Sequence, residues 1–218
     1  MKKLPSTLPN MLLSLTGICV VIAGILAVVN KLTTTPIAEA QVRAKVEAIR
    51  QVAPAFDNNP FEERLRYLPE GESDSITVYP ARKGGQPVGF AIESYTSKGF
   101  SGRIELMVGF DLQGTIVDFS VLSHSESPGL GSLMQEWFHS PSEGSAIRDM
   151  RGVSLEKESP LSVRKDGGKV DAITAATISS RAFLDAINRA WSVCQQAQRQ
   201  SAAPATQRPT SSTHPTPA

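Results

Sequence analysis

Residues 104–122 read IELMVGFDLQGTIVDFSVL, and their pattern decides the fold class. Ile104 to Phe110 is rich in β-branched and aromatic residues and reads as a strand. Asp111-Leu112-Gln113-Gly114 supplies turn chemistry, and Thr115 to Leu122 is the returning strand. Upstream the arrangement repeats. Ile76 to Tyr79 and Val88 to Tyr95 flank the turn-rich Lys83-Gly84-Gly85-Gln86-Pro87. Four or more antiparallel strands are therefore expected. Between Ala55 and the first of these strands, residues 56–74 are polar and read as irregular.

Downstream the pattern changes. Residues 123–135, SHSESPGLGSLMQ, break the strand signal, and a short helix is expected around Trp137 and Phe138. Val153 and Leu161-Ser162-Val163 suggest further short strands. From Ser179 a helix follows, with Phe183, Ala186, Ile187, Ala190, Trp191 and Cys194 recurring on one face. Strands followed by helices give an α+β class. Beyond about residue 197 the chain is rich in Ala, Pro, Ser, Thr and Gln and reads as a disordered tail.

The N-terminal region is of another kind. No charge occurs between Lys3 and Lys31, and Met11 to Val29 (MLLSLTGICVVIAGILAVV) is almost wholly apolar. At 1.5 Å per residue it spans roughly 28 Å, about the thickness of a bilayer's hydrocarbon core. A cleaved signal peptide is the alternative, with Ala38-Glu39-Ala40 as its cleavage site, but the run exceeds the usual length of a signal core. Lys2 and Lys3 before the run and Lys31 after it favour the N-terminus inside and the main domain outside. Val42, Val46, Ile49 and Ala53 then recur at helical spacing until Pro54, a stalk helix with Pro36 near its start. The expected organisation is a cytoplasmic N-terminus (1–10), a transmembrane helix (11–30), a stalk helix (31–56), one folded domain (57–195) and the tail (196–218).

Composition narrows the function. The 218 residues carry a net charge of +1 and no basic stripe, so nucleic acid is not an expected partner. Cys19 and Cys194 lie far apart, one in the apolar run, and no disulfide is expected. His124, His139 and His214 are not at ligand spacing from either, so no metal site is expected. No triad for hydrolytic chemistry is visible.

The densest local signal is Asp171-Ala172-Ile173-Thr174-Ala175-Ala176-Thr177-Ile178-Ser179-Ser180-Arg181. Hydroxyls gather where the last helix begins, beside unpaired N–H groups and the positive end of the helix dipole. Two readings are open: ordinary N-caps, or a phosphate site that Arg181 could assist.

This stretch resembles the flavinylation motif of the FMN-binding domain family, found in the G subunit of Rnf electron-transport complexes and in the C subunit of sodium-pumping NADH:quinone oxidoreductases. The family pattern is Asp, two variable residues, Ser or Thr, usually Gly, then Ala-Thr. It falls on Asp171, Thr174, Ala175, Ala176 and Thr177, with alanine where glycine is commoner. Gly99-Phe100-Ser101-Gly102-Arg103-Ile104, Met107-Val108-Gly109-Phe110-Asp111 and His124-Ser125-Glu126-Ser127-Pro128-Gly129-Leu130-Gly131, followed by Trp137, resemble the same family. The Rnf branch is the better match.

The resemblance implies that Thr177 carries FMN through a phosphoester, with Asp171, Thr174 and Ala176 completing the motif. It implies a separate flavin transferase that uses FAD and magnesium and releases AMP, so the chain is that reaction's substrate and holds no catalytic residue of its own. Gly129 and Leu130 are expected against the flavin ring, and His124 and Glu126 either hydrogen-bond its ring or ribityl groups or form a self-satisfied pair in a surface loop. The implied function is electron transfer between ferredoxin and NAD, coupled to ion translocation, in a complex with other membrane and redox subunits. The implied place is the inner membrane, in contact with lipid, with the FMN domain on the periplasmic side. The alternatives are the C subunit of the sodium-translocating complex and a membrane-anchored, non-redox binding domain.

Overall fold

A computed structural model describes residues 7–69, 74–142 and 144–202. The chain divides into two units, Met1–Lys45 and Val46–Ala218.

The first unit is helical. Helix α1 spans Leu8–Val52, with Pro36 inside it, so its last residues belong to the second unit. The sequence pattern starts the helix at residue 11 and separates anchor from stalk. In the structure the helix starts at Leu8 and runs on through Pro36. Pro36 removes one N–H from the ladder, and in the turn before it the hydroxyls of Thr33 and Thr34 bond back to the carbonyls of Val29 and Asn30 at 2.9 and 2.6 Å, so a bend is favoured in this part of the helix. Among the described residues, α1 alone is long and apolar enough to cross a membrane.

The second unit is built on a five-stranded antiparallel meander in the order β1-β2-β3-β4-β5. The strands are β1 (Leu65–Tyr67), β2 (Ile76–Lys83), β3 (Gln86–Thr96), β4 (Ile104–Asp111) and β5 (Ile116–His124). Three departures from the sequence reading have simple causes. β1 lies in the stretch expected to be irregular, because three residues carry no readable period. β2 runs on through Pro80, past the reach of β1, which pairs only with residues 76–78 and so needs no N–H from Pro80. Val153 and Leu161–Val163 form no strands. Isolated bridges, Thr115 to Ser154 and Val163 to Val170, account for their extended look.

The central strands are covered on both faces. On one face Phe90, Ile92, Leu106, Val108 and Phe110 join the main core. On the other, Ala91 and Met107 meet Ala48, Ile49, Val52 and Ala53 from the end of α1 and the residue after it. Gly109 permits that contact. A Cβ there would lie 1.7 Å from the Val52 carbonyl oxygen. This is why β4 reads as a near-continuous apolar run and not as a strict alternation.

After β5 come a 3₁₀ turn (Gly131–Leu133), α2 (Met134–Trp137), α3 (Leu155–Glu158) and a second 3₁₀ turn (Arg164–Asp166). Helix α4, Thr177–Ala202, closes the main core. All six residues assigned to its apolar face are buried, and Trp191 covers the β4–β5 turn at Gly114. The helix starts two residues before Ser179. It also continues to Ala202, through the first part of the expected tail, since Ala197 still packs in the core. Residues 203–218, the rest of that expected tail, lie outside the described residues.

Candidate functional site

Thr177 is the first helical residue of α4, not the capping residue before it. Its side chain is partly exposed, and Lys165 Nζ donates to its Oγ1 at 3.4 Å. Lys165 belongs to the second 3₁₀ turn. That turn is tied to α4 by Arg181, whose Nε and guanidinium nitrogen bond the two oxygens of Asp166 at 2.7 and 2.6 Å. The Arg181 hydrogen bonds, and then its charge, hold the Asp166 carboxyl below the usual carboxylate range. Arg181 is thus engaged with a carboxylate, and Lys165 is the cation at the threonine. Sequence reasoning missed Lys165, which has no motif around it and comes near Thr177 only through the fold.

The loop before α4 has a defined shape. Ile173 N–H donates to Ser180 Oγ at 3.0 Å, and Ser180 Oγ donates to the Ala176 carbonyl at 3.0 Å. Ile173 and Ala176 are buried, which leaves Thr174 and Ala175 exposed at the bend. Ala175 has φ of 61°, and no other non-glycine residue among those described has a positive φ. This explains why glycine suits the position: an L side chain in the left-handed region is strained.

At the head of the motif, Asp171 is tied into the chain through its backbone and one carboxylate oxygen. Its N–H donates to the Ile147 carbonyl at 2.8 Å. Its carbonyl accepts from Trp137 Nε1 at 2.9 Å, and its carboxylate accepts from Arg148 at 2.9 Å.

The His124–Gly131 block reaches the same place from the other side. Glu126 is buried, with Oε1 accepting from Ser101 N–H at 3.0 Å and Oε2 accepting from Ser179 Oγ. Glu126 N–H donates to His124 Nδ1 at 3.2 Å. Both carboxylate oxygens are therefore bonded inside the chain, one of them bracing the first turn of α4. Gly131 packs into the same knot. A Cβ on it would lie 2.4 Å from Ser179 Oγ and 2.6 Å from Glu126 Oε2. His124 and Gly129 are exposed, and around the knot three apolar side chains face solvent: Phe100, Leu130 and Ile178.

The comparisons with known proteins agree with this arrangement. The FMN-binding domain family matches residues 99–192, which spans the Gly99 loop, the Glu126 block and the start of α4. The chain is 35% identical over 175 residues to the G subunit of the ion-translocating oxidoreductase complex of Yersinia pestis, covering 77% of this chain and 80% of the relative. It is 30% identical over 187 residues to the corresponding G subunit of Vibrio cholerae serotype O1 (strain ATCC 39315 / El Tor Inaba N16961), covering 81% and 85%. The G subunit of Stutzerimonas stutzeri is 34% identical over 187 residues, covering 82% and 77%.

Proposed function

Because the chain belongs to the family of G subunits of the ion-translocating oxidoreductase complex, we propose that it is an electron-transfer subunit of such a complex and carries FMN as a phosphoester on Thr177. The supporting observation is the setting of the Thr177 hydroxyl: accessible, at the N-terminus of a long helix, with Lys165 Nζ 3.4 Å away. The residues fit the group. Lys165 and the first-turn N–H groups of α4 would face its phosphate, where a helix N-terminus and a cation each favour negative charge. The exposed Leu130 and Ile178 offer apolar surface to a ring, and His124 stands exposed on the same block, with its Nδ1 accepting from the Glu126 N–H.

In the attachment step, Thr177 Oγ1 bonds to the FMN-side phosphorus of FAD. The bridging P–O bond breaks, AMP leaves, and the hydroxyl proton passes to a base. Among the described residues the group beside Thr177 Oγ1 is an ammonium, which cannot accept a proton, so the base belongs to the flavin transferase. Bound flavin supplies the redox chemistry, and the protein supplies position and electrostatics. We assign the domain to the periplasmic side of the inner membrane, with α1 in the lipid, and its electron flow to the path between ferredoxin and NAD in contact with the complex's other subunits.

Ultraviolet in-gel fluorescence of the denatured chain tests this reading. After co-expression with a flavin transferase, a fluorescent band is expected, and it should be absent in Thr177→Ala. A dark wild-type band would overturn the reading and favour a non-redox membrane-anchored domain.

A further inference from the structure

Asp171 opens the modification motif, yet its N–H, its carbonyl and one carboxylate oxygen are bonded within its own chain. The N–H is held by Ile147, the carbonyl by Trp137 and the carboxylate by Arg148. The last two partners are themselves joined. The Arg148 guanidinium lies over the Trp137 ring, 4.4 Å from its centroid. Arg148 is also the more buried member of its ion pair, with its side chain 15% exposed against 32% for Asp171. A pair so placed is screened less than a surface one. One residue thus meets a neighbouring backbone segment, an indole and a stacked guanidinium.

The consequence falls on the loop. Asp171 is fixed at one end and Ser180 holds Ile173 and Ala176 at the other. The short segment between them contains Ala175 at φ 61°, a conformation an unsupported alanine rarely keeps. These restraints flank the segment that carries Thr174, Ala175 and Thr177.

We propose that Arg148 is a positioning residue for the modification of Thr177: stacked on Trp137, it clamps the Asp171 carboxylate and so sets the loop that presents the threonine. Asp171 then works inside the chain and is not read directly by the transferase. This rests on the proposed function above, in which Thr177 receives FMN.

The test is a double-mutant cycle on the rate of FMN transfer. The full chain, made without flavin and held in detergent, is given purified flavin transferase, FAD and magnesium, and the Thr177 adduct is followed by mass spectrometry. Arg148→Met and Asp171→Asn are each expected to slow transfer about tenfold, and the double variant is expected to be about as slow as either single, because both break one clamp. Arg148→Lys keeps the cation and the stem against Trp137 but not the planar guanidinium, so it should recover part of the rate even if Arg148→Met folds poorly. Arg148→Met at the wild-type rate with Asp171→Asn slow would overturn the proposal, since the carboxylate would then be read by the enzyme. A multiplicative, roughly hundredfold loss in the double variant would overturn it as well. So would Arg148→Lys as slow as Arg148→Met. A wild-type chain that takes no FMN would instead sink the reading of Thr177 itself, and the clamp's role with it.

Discussion

Replacing Ala175 by glycine is expected to stabilise the folded domain, an unusual direction for a substitution to glycine. Ala175 sits at φ 61° with its side chain exposed, so no packing is lost when the methyl is removed. An L residue in the left-handed region costs about 1–2 kcal/mol, which glycine does not incur. Against this, glycine gives the unfolded chain more freedom, which costs about 0.4–1 kcal/mol. The difference is a gain of about 0.5–1 kcal/mol, or roughly 1–4 °C in Tm for a domain of this size. Ala175→Val should move the opposite way, by about 1 kcal/mol or more, because a β-branched side chain is still worse in that region. Thermal unfolding of the full chain in detergent, without flavin in every case, gives both numbers. Equal or lower Tm for Ala175→Gly would refute the strain argument. A Val variant as stable as the wild type would refute it too.

Two further outcomes follow from the same site. Gly131→Ala must displace the buried Ser179–Glu126 contact, so a loss of about 1–3 kcal/mol is expected in chemical denaturation, while an unchanged midpoint would contradict the packing described. The Asp166–Arg181 pair makes a statement about pH. The folded carboxyl titrates below its unfolded value of about 3.9, so its contribution is complete above that value and fades as pH falls through the lower, folded one. Carboxyl-carbon NMR should show Asp166 titrating below an ordinary aspartate in wild type, and the depression should vanish in Arg181→Gln.

The sheet was legible because its signals are local. The Asp111–Gly114 and Gly84–Gly85 turns sit between runs of β-formers, and the α4 stripe repeats over several turns. Thr177 and the Glu126 block were legible as motifs. What escaped is what the fold alone brings together. Lys165 and Asp166 lie in a short turn with no periodicity, yet both meet α4. Arg148 is separated from Asp171 by 23 positions, and nothing in either sequence neighbourhood announces the pair. The internal contacts of Glu126 were hidden for a related reason. A glutamate in a polar loop looks exposed until Ser179 and the Ser101 N–H are folded around it. The question of Ala175, by contrast, could be framed from the sequence, and the backbone angle answers it.

The central claim is a covalent bond between FMN and one hydroxyl. Peptide mass spectrometry of the full chain, purified after co-expression with a flavin transferase, addresses it directly. The account predicts that the peptide containing Thr177 carries the mass of FMN less one water, with fragment ions that assign the addition to Thr177 and not to Thr174, Ser179 or Ser180. An unmodified Thr177 peptide, or FMN localised to one of those neighbours, would contradict it.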